Sequence, residues 1–399
     1  MIVFKIAWRN ILRNKRRSAL SITIIVIGVS VLFLFKGYMA FNLNGLTELA
    51  ISEYGNLQIA AAGYWDNTDE RHLLSKNEIN RMRGILTKDP AVNSFATQLN
   101  VSGVIGTETK SAIIYGLGVE PDKYQNTNVT GGTLFSSQAA NEVILGDGVR
   151  KKLGVKEGEW LSILATTLDG AYNAGNLQVS GSISFGNSDA DNAYIVLPVN
   201  FTQNLLNTDG ADKLIVHLSN DQLTVPTIHR LTEEFEKAGL KVELKNWVDL
   251  ATYYRQANGM MQTTFMVISL IIFILVFFSI LEIMSMAFFE RMSEIGTIRA
   301  IGTKRFQVFS LLSQEGLLLG LLGGLMGVAM GWGLGALIDN MKMTYLAPGF
   351  AQPVPLYINL NLEQGIAPMI IVMFAILISA SYPALKAARL NIVEIFRHH

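Results

Sequence analysis

Charge is missing from four stretches of this chain, and each is long enough to cross a lipid bilayer. They run from Ser18 to Phe35, from Gly259 to Leu281, from Phe306 to Ile338 with Glu315 as the single charged residue, and from Gln364 to Leu385. A helix rises 1.5 Å per residue, so ~30 Å of hydrocarbon needs about 20 such residues. Between the first and second stretches lies a long segment of ordinary globular composition. One span, a large water-exposed domain and three closely spaced spans make an uncommon layout. It predicts an α-helical membrane protein with four transmembrane helices and a mixed α/β extracytoplasmic domain between helices 1 and 2.

The expected divisions follow. Residues 1–17 form a cytoplasmic amphipathic helix, 18–43 the first transmembrane helix, 44–258 the periplasmic domain and 259–289 the second transmembrane helix. A cytoplasmic helix at 290–305, the third span at 306–338, an outer loop at 339–363, the fourth span at 364–386 and a tail at 387–399 complete the chain.

Orientation rests on how charge is distributed. Only 16% of residues are charged and the chain is neutral overall, against about 25% charge in a soluble domain. From Asn44 to Met260, 25 acidic residues face 17 basic ones. Lys5–Arg17 carries six basic residues and no acidic one, and Glu290–Arg305 and the tail are also net basic. Basic flanks stay inside, so both termini are expected in the cytoplasm and the acidic domain outside. The first apolar run exceeds a signal-peptide core and no small-residue cleavage site follows it, so it is expected to be a retained anchor. Within residues 2–17, Val3, Phe4, Ile6, Ala7, Ile11 and Leu12 form one apolar side. Trp8 suits the interface, and the basic residues suit lipid phosphates.

The outer domain mixes both periodicities. Strands are expected at Leu57–Ala60, Val101–Ile105, Ser111–Tyr115, Glu142–Leu145, Trp160–Ala165, Gln178–Ile183, Ala193–Leu197 and Lys213–Leu218. Helices are expected at Lys76–Leu86, Val199–Leu205 and Val225–Ala238, the last inside a βαβ-like unit. Residues 131–188 read as an inserted β-rich subdomain. Asp169–Gly175 and Gly186–Asn192 read as loops.

Enzyme chemistry finds little support. Gly103–Ser111 superficially resembles a phosphate loop, but Thr109 replaces the glycine before Lys110, and a chance match is the better reading. The five histidines lack metal-ligand spacing apart from the terminal pair, and no cysteine is present. No catalytic residue, bound cofactor or metal is therefore expected in this chain.

Three features carry more. The third span carries glycines at four-residue steps, Gly320–Gly324, Gly323–Gly327, Gly327–Gly331 and Gly331–Gly335, and Gly320, Gly324, Gly327 and Gly331 among them suit close helix packing within the subunit or between subunits. Glu282 and Glu315 lie near the inner ends of their spans, where a structural or gating role is favoured over ion translocation. The segment Glu290-Arg-Met-Ser-Glu-Ile-Gly-Thr-Ile-Arg-Ala-Ile-Gly302 is a short charged helix with an apolar edge of Ile295, Ile298 and Ile301. It could receive a push from a cytoplasmic partner.

That segment is similar to the signature of the MacB/FtsX/LolC-type ABC transporter permeases. So are Ala7–Ser18, Glu142–Gly146 with Leu153–Gly158, Glu315-Gly316, and Pro383-Ala384 with Ala387-Ala388-Arg389. Two departures are Ile392, where a proline is usual, and Glu282, where an asparagine is common. The resemblance implies a permease dimer, homomeric or heteromeric, serviced by two copies of a separate ABC ATPase that carries ATP and Mg. It implies that Glu290, Arg291, Glu294, Ile295, Gly296, Ile298, Arg299 and Gly302 form the helix that docks on this ATPase. It also implies a bacterial inner-membrane location and movement of the outer domain rather than a substrate tunnel. Asn56-Leu-Gln-Ile59 with Gly63-Tyr64 resembles lipoprotein-release members. A drug- or peptide-efflux permease with a periplasmic adaptor or outer-membrane partner is the alternative, as is an FtsX-like regulator of a cell-wall hydrolase. A membrane receptor would need an inner output domain, and the inner segments are too short for one. A secondary transporter would show more spans and internal repeats.

Overall fold

The computed structural model describes residues 2–66, 71–124, 129–135, 141–185, 188–290, 292–345 and 353–389. From the N-terminus, α1 (Ile2–Arg13) and α2 (Lys15–Tyr54) lead to β1 (Leu57–Ala61) and α3 (Lys76–Leu86). There follow β2 (Val92–Gly106), β3 (Ser111–Val119), β4 (Val129–Gly132), β5 (Glu142–Gly146), α4 (Asp147–Leu153), β6 (Trp160–Thr166) and β7 (Tyr172–Ile183). Next come α5 (Ser188–Asp191), β8 (Tyr194–Pro198), α6 (Val199–Leu206), β9 (Lys213–Leu218), α7 (Thr224–Lys237), β10 (Val242–Asn246) and α8 (Trp247–Leu250). The chain continues through α9 (Thr252–Glu290), α10 (Met292–Ala300), α11 (Arg305–Asn340) and α12 (Ile366–Arg389). Two units result: Met1–Gly45, Gln256–Thr344 and Pro355–His399 in one, Leu46–Arg255 and Tyr345–Val354 in the other.

The second unit is a mixed α/β domain built on the long strand β2. The N-terminal half of β2 joins an open sheet in the order β10-β1-β9-β2. β1 runs antiparallel to both β9 and β10, so the expected βαβ-like unit has its two parallel strands split by β1. α3 and α7 cover one face, burying Ile79, Met82, Leu86, Leu231 and Phe235 against Leu57, Ile59, Leu214 and Val216. α3 starts at Ser75, whose Oγ accepts from Glu78 N (3.3 Å) while Ser75 N donates to Glu78 Oε2 (2.9 Å). Such a capping box is worth about 1 kcal/mol.

The C-terminal half of β2 belongs to a closed barrel. β2, β3, β8, β5 and β7 pair in succession, and β6 joins β7 back to β2. Alternate residues fill it: Val101 and Ile105 of β2, Ile114 of β3, Leu161 and Ile163 of β6, Leu177 and Val179 of β7 and Ile195 of β8. Closure depends on Gly103, where an added Cβ would lie 2.3 Å from the Leu164 carbonyl oxygen. The apparent phosphate loop is thus the end of β2, a hairpin closed by Lys110 N donating to Thr107 Oγ1 (3.1 Å), and the start of β3.

The inserted subdomain expected at 131–188 is corrected accordingly. The barrel recruits β2, β3 and β8 from outside that range, because closure requires partners distant in sequence. Tyr172–Gly175, expected as loop, is the start of β7, paired to β6. Residues 186 and 187 lie outside the described residues, and Ser188–Asp191 is a helical turn. α4 was not expected from the sequence. It buries only Val149 and Leu153 and ends at Gly154 in the left-handed region (φ 72°).

Burial holds the His217 imidazole below its ordinary pKa. The folded domain therefore binds this proton less readily than the unfolded chain. The resulting stability is present above the unfolded pKa and is lost as pH falls below about 6.5. His217→Gln should flatten the fall in melting temperature between pH 7 and 5, measured on the full chain. An unchanged slope would remove His217 as a contributor.

Among the described residues, the first unit holds four helices long and apolar enough to span a membrane. α2 and α9 run further than the expected 18–43 and 259–289, because the helical pattern continues past the end of the apolar run. The glycines of α11 meet two of its neighbours. An added Cβ at Gly323, Gly327 or Gly331 would come within 2.6, 2.7 or 2.9 Å of Ile25, Val29 or Phe33 in α2. At Gly316 and Gly320 it would come within 3.0 Å of Ala380 and Ile376 in α12, and at Gly324 within 3.4 Å of Met369. The glycines therefore serve two contacts inside one subunit rather than a single face. Ser30 Oγ donates to Gly327 O (2.8 Å) across the first contact. α1 buries Ala7 and Ile11 in the same core and leaves Trp8 and Leu12 exposed, which divides its expected apolar side. Ser18 Oγ donates to Ile11 O (3.0 Å) across the α1–α2 break.

Candidate coupling site

The short helix α10 connects the second and third spans. One side of it is anchored: Ile295 is buried with Phe288, Val308, Leu312 and Ala384, and Met292 packs on the same cluster. Gly296 is also buried. The helix ends where Gly302 takes φ 108°, a conformation that glycine adopts without strain. Thr303 N then donates to Ile298 O (3.3 Å), a Schellman-type closure. Gly302 thus has a structural reason for its place in the motif. α11 restarts at once, with Lys304 N donating to Gln307 Oε1 (2.9 Å).

The other side is open. Ile298 is 45% exposed, Ile301 83% and Phe306 76%. The expected edge of Ile295, Ile298 and Ile301 is therefore divided: Ile295 holds the helix to its own subunit, and the other two face away from that core. Phe306 opens the third candidate span, Phe306–Asn340, as expected, directly after Lys304 and Arg305. Three large exposed apolar side chains in nine residues mark a surface that a partner protein or the membrane covers.

Glu290 is paired with Arg17 at the start of α2, the two side chains being 51% and 19% exposed. Arg17 was not singled out from the sequence, where it is one of six equivalent basic residues. Arg291 lies outside the described residues, as do the side chains of Glu294 and Arg299.

The two membrane acids are separated by the fold. Glu315 is 8% exposed. The steps Gly323–Ile25, Gly327–Val29 and Gly331–Phe33, carried down two turns, put Glu315 level with Arg17. Glu282 is exposed on the outward stripe of α9 that also carries Phe278, Met286 and Phe289. The two carboxylates are thus on different helix faces, one inward and one outward.

The residues thought to favour lipoprotein release have structural work in the outer domain. Asn56 Oδ1 accepts from Leu218 N (2.8 Å), and its Nδ2 donates to Asp221 Oδ1 (3.1 Å). Gln58 Nε2 donates to Tyr54 O (2.9 Å). Tyr64 packs edge-on against Trp65 at 5.3 Å. Arg71 and Asp212 form a two-pronged pair at 3.0 and 2.9 Å nearby, and Asp212 also accepts from Asn100 N (2.6 Å).

The model of a MacB-like periplasmic core domain matches residues 18–233, and that of an FtsX-like permease C-terminal domain matches residues 266–392. Among solved structures, the periplasmic region of MacB from Actinobacillus actinomycetemcomitans is 15% identical with a TM-score of 0.38, covering 51% of this chain and 94% of that one. The extracellular domain of the ABC-type transporter YknZ from Gram-positive bacteria is 14% identical with a TM-score of 0.36, covering 48% of this chain and 99% of that one.

Proposed function

Because the chain belongs to the MacB/FtsX-like family of ABC transporter permeases, we propose that it converts the work of a separate ATPase into movement of its outer domain. Members of the family are the permease components of ABC transporters, and membership implies partnership with an ABC ATPase and dimerisation. The observation that carries the proposal is the division of the coupling segment. Ile295 fastens α10 to the membrane helices, and Ile298, Ile301 and Phe306 remain open to a partner. An element anchored on one side and apolar on the other can receive a displacement and pass it to α9 and α11, to which it is joined by the chain. In this reading Glu294 and Arg299 complete the docking face, and the nucleotide and its Mg stay on two ATPase copies. Gly320, Gly324, Gly327 and Gly331 keep α11 close enough to α2 and α12 for the helices to move together.

The setting proposed is a bacterial inner membrane with both termini in the cytoplasm. The cargo is a lipoprotein or another periplasmic or outer-leaflet molecule moved outward. The support for a lipoprotein is the resemblance around Asn56–Ile59 and Gly63-Tyr64. Drug or peptide efflux and hydrolase regulation use the same coupling chemistry and differ only in what the outer domain engages.

The test has two arms. The detergent-purified chain alone should hydrolyse no ATP, and the chain co-purified with its ATPase should do so. Cysteine labelling from outside should reach Asp169→Cys and miss Arg16→Cys and Lys304→Cys, since basic flanks remain inside. An inside location for position 169, or hydrolysis by the chain alone, would refute the proposal.

A further inference from the structure

Two charged side chains stand where their own helices disfavour them. α2 begins with Lys15, Arg16 and Arg17 and has no acidic residue in its first turn, although a helix N-terminus carries about half a positive charge. α9 ends at Glu290 with no basic residue in its last turn, although a helix C-terminus carries a similar negative charge. Neither charge stabilises the helix that contains it. The two meet instead, with Arg17 Nη2 donating to Glu290 Oε2. Paired, the carboxylate offsets the positive start of α2 and the guanidinium offsets the negative end of α9. The contact between helices is what these residues serve.

Its place in the chain gives that contact a consequence. Glu290 is one residue from α10. The core that anchors α10 takes its described side chains from α9, α10, α11 and α12, with none from α1 or α2. The chain itself ties α9 and α11 to α10, and α2 has no such tie. Further along the span, α2 meets α9 through Gly28, where an added Cβ would lie 3.1 Å from Ile272 and 3.3 Å from Val276, and meets α11 through Ile25 and Val29. Those contacts are mostly apolar, with Ser30 Oγ donating to Gly327 O (2.8 Å) as the polar exception, and none of them involves a charged pair. Among the described residues, Arg17–Glu290 is the ion pair that ties the foot of α2 to the segment where α10 begins.

We infer that Arg17 is a positioning residue that keeps α2 in step with the coupling helix. The inference rests on the proposal that an ATPase displaces α10. Displacement then reaches α9 through the backbone and reaches the base of α2 through the guanidinium–carboxylate pair. Both long helices start their movement together. Without the pair, α9 moves first and part of the displacement is lost as sliding between α9 and α2.

A chain without cysteine permits a two-label measurement on the full permease–ATPase complex. Cysteines at positions 169 and 304 would be spin-labelled, and the distance between them recorded with and without a non-hydrolysable ATP analogue. Arg17→Glu should lower the fraction of complexes that complete the nucleotide-dependent shift about two- to fivefold, the range expected for a partly exposed ion pair. ATPase co-purification and hydrolysis should persist in that variant. Arg17→Lys should keep most of the shift, and the exchanged pair Arg17→Glu with Glu290→Arg should restore it. A merely structural role would lower yield and ATPase binding together with the shift. A full shift in Arg17→Glu, or no recovery in the exchanged pair, overturns the inference while leaving the proposed function standing. Absence of ATPase or of any shift in the wild type overturns both.

Discussion

Ile298→Asp and Ile301→Asp are each expected to abolish co-purification of the ATPase and the hydrolysis that depends on it. Ile298 on α10 is 45% exposed and Ile301, just past its end, 83%, so an aspartate at either position leaves the permease fold intact. In the assembled complex the same carboxylate would be buried without a partner. Truncating a central interface residue costs 2 kcal/mol or more, and burying an unpaired charge adds to that, so a loss of about 100-fold in affinity is expected. Phe306→Asp should act in the same direction. Ile295→Ala should behave differently. Ile295 is 8% exposed within the core under α10, and its truncation should lower permease stability by about 2–5 kcal/mol. Pull-down with quantified ATPase stoichiometry, run beside thermal unfolding, separates the two classes. Normal ATPase recovery with Ile298→Asp and Ile301→Asp would show that the partner docks elsewhere.

Gly327→Leu is expected to prevent assembly of the membrane helices, whereas Gly333→Ala should be tolerated. At Gly327 a Cβ alone would lie 2.7 Å from the Val29 Cβ and 3.1 Å from the Val26 carbonyl oxygen, so the backbones themselves must separate. Overpacking of this kind costs about 1–3 kcal/mol or more. Where lipid removes the hydrophobic drive between helices, the close packing that glycines permit is one of the forces that hold them together. At Gly333 a Cβ meets nothing within 4 Å, and alanine is favoured over glycine in a helix by about 1 kcal/mol. Limited proteolysis and melting in detergent should therefore move in opposite directions for two substitutions six residues apart. Equal behaviour would show that the α2–α11 contact does not hold the bundle together.

The contrast between those glycines shows where reading the chain stops. Three- and four-residue spacing identifies Gly320, Gly324, Gly327 and Gly331 as close-packing positions, because that period is local. It does not say which helix fills the space. In the fold, two of them meet α12 and two meet α2. The coupling segment behaves similarly. Its helical pattern and its family signature are visible in Glu290–Gly302, yet Ile295, Ile298 and Ile301 look alike until Phe288, Val308 and Leu312 cover the first of them. Arg17 has no local mark at all, since its partner is 273 residues away.

By itself the sequence determined the four spans, their order around a large outer domain, the helical pattern of Glu290–Gly302 and the family. Each depends on composition or on neighbours within a few helical turns, where the physics of burial and helix geometry is local. Only the tertiary structure decided that β6 closes a barrel on β2, that β1 splits the parallel pair β9 and β10, and that Arg17 answers Glu290. Those outcomes depend on which distant surfaces fit one another once the chain is compact. No residue carries that information alone, because a strand edge or an arginine has the same local chemistry whichever partner it meets.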